Sequence, residues 1–225
     1  MFLVIMVSSC KKEPQENMLI TGEVKGLKKG TLYLQQYQDS SIVVLDSLEI
    51  KGDGKFSFSQ HVDSPDIFYL YLNKKDNNQV NDRITFFGEE GTITVNTAWN
   101  TFDTQVNISG SKSHEKLQEF QEMVSQFNIR ELLLAQKAGL PQIQDDPNAL
   151  DSLQGLIDQN TINRYRYALN FGFNNGNSYA TPYIMLTAAS EANPKYLDSV
   201  YRSLSPEVAS SKYGKAFREF LDQRD

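Results

Sequence analysis

A single change of rhythm near Gly110 constrains the fold of this chain more than any other feature. Before it, apolar side chains recur at every second residue; after it, they recur at every third or fourth. Phe56 and Phe58 alternate with Ser57 and Ser59, the pattern of a half-buried strand. In the next apolar run Phe68, Leu70 and Leu72 share one face, and Ile67, Tyr69 and Tyr71 share the other. Turn signals separate such runs: Lys51-Gly52-Asp53-Gly54-Lys55 and Glu89-Glu90-Gly91 are each expected to join a tight antiparallel pair. Seven or eight short strands of this kind predict an antiparallel β-sandwich over residues 18–112.

From Ser113 onward the spacing predicts an α-helical domain over residues 113–225, so the fold class is α+β with the two halves as separate layers or domains. Leu117, Phe120, Val124 and Phe127 form one stripe, and Gly139 and Pro141 end that helix. Asp146-Pro147 supplies a capping acid and a first-turn proline for a second long helix. Its expected apolar set is Leu150, Leu153, Leu156, Ile157, Ile162, Tyr165 and Leu169. Asn193-Pro194 and Ser205-Pro206 start two more helices, and Thr181-Pro182 starts or kinks another.

Met1 to Val7 is an uncharged apolar run, and Ser8 and Ser9 follow it. That is the core of a secretion signal over residues 1–9, far too short to span a bilayer. Val7-Ser8-Ser9-Cys10 resembles the bacterial lipobox, in which a cysteine after small residues is acylated (palmitate among the chains) and becomes the first mature residue. Cys10 is the chain's only cysteine. Two or more acyl chains anchor stably where one does not. Residues 10–17 are then a lipidated cysteine and a polar tether reaching at most about 25 Å. The missing basic residue ahead of the apolar run leads us to expect a translation start upstream of Met1.

Composition removes several chemistries. One thiol allows neither an intrachain disulfide nor a Cys-x-x-Cys pair, and two histidines are too few for an all-histidine zinc site. The formal charge is -6 without a long basic run, which argues against nucleic acid as a partner. No cofactor, metal site or catalytic residue is expected. Gly110-Ser111-Lys112-Ser113 lacks the upstream glycine of a phosphate loop and reads as a strand-to-helix corner. Asp76 to Asp82 carries oxygen ligands at alternating positions like a calcium loop, but Asn81 and Phe87 stand where that loop needs Gly and Glu, so it reads as a solvated hairpin tip. His61 and His114 read as surface or satisfied histidines. Of the acidic pairs, Glu89-Glu90 faces two ways and Asp145-Asp146 caps a helix. Trp99 reads as core or rim packing rather than a sugar-stacking platform.

Several stretches together resemble domain of unknown function 4369, a family of secreted Bacteroidota proteins. They are Gly22-Glu23-Val24-Lys25-Gly26-Leu27, Leu32-Tyr33-Leu34, Leu45-Asp46-Ser47, Gly52 to Phe58 and Ile108-Ser109-Gly110-Ser111. The helical half, through Asn177-Ser178-Tyr179-Ala180 and Leu204 to Gly214, resembles the spacer that follows such domains. The resemblance implies a relation to membrane-bound thioredoxin-like disulfide reductases, whose redox domain is expected to be absent from this chain. It also implies the three-residue O-glycosylation signal of Bacteroidota at Asp46-Ser47-Leu48, Asp151-Ser152-Leu153 and Asp198-Ser199-Val200. Ser152 and Ser199 are the expected acceptors, because the strand around Ser47 is expected to hide its hydroxyl.

The sequence therefore reads as a non-enzymatic cell-envelope lipoprotein, a binding or scaffolding module at the outer membrane facing the periplasm. Its partners would be the membrane and an envelope protein or glycan. Two other readings stand beside it: an accessory to thiol–disulfide exchange working with a separate thioredoxin-like chain, and a glycan-binding lipoprotein. Cys10→Ala is expected to move the protein from the membrane pellet to the soluble fraction. Unchanged fractionation with no acyl mass on the N-terminal peptide would sink the anchor.

Overall fold

The run from Ile67 to Leu72 is apolar on both faces, which suits a strand covered on both sides. The computed structural model describes residues 15–38, 41–74 and 82–224 and places that run accordingly. The strands are β1 (Met18–Lys25), β2 (Lys29–Gln38), β3 (Ser41–Lys51), β4 (Lys55–Gln60), β5 (Asp66–Asn73), β6 (Asp82–Gly88), β7 (Gly91–Ala98) and β8 (Asn107–Ser109). The helices are α1 (Lys112–Ala138), α2 (Pro141–Gln144), α3 (Pro147–Asn174), α4 (Ala180–Ala188), α5 (Pro194–Arg202), α6 (Pro206–Ser210) and α7 (Lys212–Asp222). Cys10 and residues 75–81, which include the calcium-like segment from Asp76 to Asn81, lie outside the described residues.

The strands form two four-stranded sheets, ordered β4-β1-β7-β8 and β3-β2-β5-β6. Every pairing is antiparallel except β1 with β7, which run parallel from Met18 beside Gly91 to Lys25 beside Ala98. Both tight turns differ from the sequence expectation. The Gly52–Gly54 turn joins β3 to β4, and the Glu89–Glu90 turn joins β6 to β7; in each case the two strands belong to different sheets. These turns are corners of the sandwich rather than hairpins. A turn signature fixes a change of direction, but the neighbour a strand takes depends on which face it must bury.

Between the sheets lies the first core, with Ile20, Leu32, Leu34, Phe58, Phe68, Leu70, Phe86, Ile93 and Val95 essentially inaccessible. Phe56 and Phe58 both point inward, their ring centroids 6.0 Å apart. On the opposite face of the second sheet, Ile67, Tyr69 and Phe87 enter a second core built with α1, α3, α4, α5 and α7. Phe87 meets Tyr183 and Tyr213 edge-on at 5.6 and 6.4 Å, geometries that aromatic quadrupoles favour. Asp66 at the start of β5 clasps Lys212 at the start of α7, at 2.8 Å, and also accepts from the Gln36 amide. Burial, then the Asp66 carboxylate, raises the Tyr213 phenol above its ordinary range. The molecule is thus three layers: sheet, sheet, helices.

The helix signals act locally as expected. Asp146 accepts from the N–H groups of Asn148 and Ala149, Asn193 caps α5, and Ser205 caps α6. Thr181-Pro182 lies in the first turn of α4, so that helix starts there. The Leu117, Phe120, Val124 and Phe127 stripe faces α3, with Phe120 5.3 Å from Phe171 and 5.7 Å from Tyr167. Farther out, α1 and α3 run on beyond the sheet and bury only their shared seam. Leu134, Leu153 and Asn160 lie in it, and the Asn160 amide donates to the Phe127 carbonyl. Leu150, Leu156 and Ile162, expected inside, are exposed there because no third layer reaches them.

Removing a buried phenylalanine side chain costs about 3–5 kcal/mol, from lost burial plus the cavity left behind. Phe58→Ala is expected to lower stability to chemical denaturant by that amount, against no more than about 0.5 kcal/mol for the exposed Lys137→Ala. Equal effects from the two changes would mean that Phe58 does not belong to the core.

Candidate functional site

α1 is locked onto the sandwich at its first turn. The corner before it is Gly110, at φ +91, where a Cβ would lie 2.1 Å from the Thr92 carbonyl oxygen, so only glycine fits. Ser111 then caps the helix, its hydroxyl accepting from the His114 N–H at 3.0 Å. Glu89 reaches across from the β6–β7 corner to the same turn. Its carboxylate accepts from the Lys112 N–H and from the Ser113 hydroxyl, both at 2.6 Å. An anion at a helix N-terminus meets free N–H groups and the positive end of the dipole, so this contact stabilises helix and junction together. Glu90 is exposed, so the pair faces two ways as expected, but the capping role of Glu89 was invisible in the sequence.

From that lock α1 runs along the open side of the sandwich, where β6 ends one sheet and β8 ends the other. Between helix and strand edges lies a cleft of about 530 Å³. The sheet side supplies Arg83, Ile84, Thr85 and Ile108, and the β7–β8 loop adds Asp103 and Val106. The helix side supplies His114, Gln118, Gln121, Glu122 and Ser125, which recur at helical spacing beside the apolar stripe. Such spacing was legible in the sequence and is the one signal by which these residues could have been found.

Two side chains in this cleft depart from ordinary pairing. Arg83 lies over the rings of Tyr69 and Tyr71, 5.6 Å from each centroid, and no ion pair of Arg83 is found among the described residues. Its Nε is buried without a partner. His114, expected at the surface or satisfied, is instead buried at 7% exposure with Nδ1 unpartnered. Burial lowers its pKa, partly opposed by the nearby Glu89 carboxylate, so the imidazole is held neutral. Buried polar atoms without partners are uncommon in folded proteins and mark places where another group can complete the bonding.

A second cleft of about 460 Å³ lies on the other flank of α1, lined by Pro65, Glu89, Lys112, Asn174, Asn175 and Tyr179 among others. Its polar groups are largely satisfied from within. Glu89 holds the helix start, and the Asn174 and Asn175 amides donate to the Asn170 and Phe171 carbonyls. The Arg83–His114 cleft is therefore the stronger candidate.

The other singled-out residues are placed apart from it. His61 is exposed, and its pKa is raised by its bonds to the Gln15 carbonyl and then Asp63. Ser152 on α3 and Ser199 on α5 are exposed, each hydroxyl donating to the carbonyl four residues earlier. Ser47 is exposed too, because β3 is an edge strand whose outer face stays open, so its strand does not hide the hydroxyl. Tyr33 is reached only indirectly, stacking at 5.9 Å on Tyr71, one of the two rings beneath Arg83. Among the described residues no cluster of three or more His, Cys, Asp and Glu could hold a metal ion. No helix among them is long and apolar enough to cross a membrane.

Residues 18–117, which span the sandwich, match the family described as Domain of unknown function (DUF4369). The matched segment takes in the first turns of α1, including Ser111, Ser113, His114 and Leu117. No curated protein matches the chain.

His114 links the cleft to pH. Its folded pKa lies below the ordinary 6.5, so on acidification the unfolded chain takes up a proton that the folded chain refuses. Stability is fully present above that ordinary value and is lost as the pH falls below it. The melting temperature of the wild type is expected to drop further between pH 7 and pH 5 than that of His114→Asn. Parallel pH profiles would show that His114 titrates as freely in the fold as outside it.

Proposed function

We propose that this chain is a binding module of the cell envelope, without chemistry of its own. It is held at the membrane by lipid on Cys10, at the outer membrane facing the periplasm. It takes a small polar ligand bearing an anionic group in the cleft between α1 and the open side of the sandwich. The observation that carries this reading is Arg83. A guanidinium held over two tyrosines with no described carboxylate partner is a fixed cation with an unanswered charge, and arginine forks suit carboxylate and phosphate groups.

The surroundings support recognition of a polar molecule. Thr85 and Ser125 offer hydroxyls, and Gln118 and Gln121 offer amides that both donate and accept. Asp103 and Glu122, both exposed at the rim, suit a ligand that also carries hydroxyl or ammonium donors. About 530 Å³ is within the range of small-molecule sites. The Glu89 lock and the two cores fix helix against sheet, so the groups are placed before a ligand arrives and little ordering opposes binding. Ser152 and Ser199 remain the proposed glycosylation acceptors.

Thermal shift with small carboxylates (acetate, glutamate and glucuronate) tests the cleft. At least one is expected to raise the melting temperature of the wild type and to leave that of Arg83→Gln unmoved. A ligand at a hundred times its Kd stabilises by about 2.7 kcal/mol, well above detection. The assignment fails if none of the three shifts the wild type, or if Arg83→Gln responds equally.

A further inference from the structure

The end of the sandwich opposite Met18 carries the chain's only tryptophan in a built setting. Trp99 follows β7, and its N–H donates to the Lys25 carbonyl at 3.1 Å. The residue is 47% exposed, yet its indole does not hang free. It lies against Gly26, where φ is +81 and a Cβ would come within 2.8 Å of the ring. Only glycine both adopts that turn and leaves room for the ring edge against the backbone. Lys74 stands 5.8 Å from the ring centroid, and Lys28 and Lys29 line the same shallow depression of about 250 Å³. Lys25 ends the adjoining strand.

Lys25, Lys28 and Lys29 are all exposed, and none of them forms an ion pair among the described residues. Their neighbours differ: Lys51 pairs with Glu49, and Lys55 with Asp53. On a chain of net charge -6 this tip is a local cation cluster around a fixed, half-open indole. We propose that the Trp99 tip docks onto an anionic phospholipid surface, the lysines against phosphate headgroups and the indole at the headgroup level. Tryptophan is favoured at that level, and lysine clusters are drawn to anionic leaflets. A plane touches only the tip and leaves the acidic body at a distance. An extended polyanion such as a nucleic-acid strand would have to run on past the tip along a chain of net charge -6.

This inference is separate from the cleft and does not need the lipid on Cys10, although an anchor would hold the tip near a bilayer. β1 spans about 25 Å between the tip and Met18, a length matched by the tether of residues 10–17. With the tip on the bilayer, Met18 stands about one strand length above it, a height the tether of residues 10–17 can span, so an upright body reaches with Trp99 the membrane that holds it.

The test uses the chain beginning at Lys11, which keeps every described residue and lacks both signal and anchor. Trp99 is the only indole, so its emission reports the tip alone. Vesicles of phosphatidylcholine doped with phosphatidylglycerol are expected to shift the emission to the blue and to carry the protein into the pellet. Pure phosphatidylcholine, or high salt, abolishes both effects. Lys28→Glu with Lys29→Glu is expected to weaken binding by about tenfold or more with an unchanged melting temperature. No shift on doped vesicles at low salt, equal binding to neutral vesicles, or wild-type binding by the double variant overturns the proposal. A blue shift with single-stranded DNA but not with vesicles likewise removes the lipid as the occupant.

Discussion

Two-sided burial of one sheet is the constraint on which the rest of the molecule depends. The β3-β2-β5-β6 sheet presents Phe68, Leu70 and Phe86 to the other sheet, and Ile67, Tyr69 and Phe87 to the helices. Neither neighbouring layer is closed without it. The helices are short after α3, and α5, α6 and α7, none longer than about three turns, could not stand alone in water. Their apolar faces find a partner in the aromatic group of Phe87, Tyr183 and Tyr213, and the Asp66–Lys212 clasp fixes the approach.

The same arrangement explains why the candidate cleft lies where it does. A sandwich of two four-stranded sheets has an open side wherever two edge strands lie next to each other, and exposed edges invite unwanted pairing. Here α1 runs along that side between β6 and β8, held at its start by Gly110, Ser111 and Glu89. A helix cannot continue a sheet, so its polar flank and the strand edges do not fill the space between them. What remains is a cleft with a rigid frame, in which Arg83 and His114 are held by packing rather than by polar partners.

Cleft and tip divide the molecule by chemistry. The cleft combines one cation with amides, hydroxyls and rim carboxylates, which suits a small ligand of mixed polarity. The tip combines lysines with an indole packed against Gly26, which suits an extended anionic surface. The β7–β8 loop carries Trp99 at its start and Asp103 and Val106 farther on, but the cations of the two sites lie apart, Arg83 on β6 and Lys28 and Lys29 where β2 begins.

The sequence by itself determined the local structure. The alternation at Phe56 and Phe58, the stripe from Leu117 to Phe127, and the caps at Asp146, Asn193 and Ser205 all appear in place. Each depends on residues a few positions apart, whose geometry the backbone period dictates. The sequence also carried the match to the DUF4369 family, through its turns and strands. Tertiary structure alone decided which strands became neighbours, so that two turns read as hairpins became corners between sheets. It decided that Leu150, Leu156 and Ile162 stay in water, because periodicity marks a face but does not supply the layer to cover it. It brought Glu89 to the start of α1 and Arg83 opposite His114 across a cleft. Those contacts join residues more than twenty positions apart, and they arise only when whole layers have found the faces they must bury.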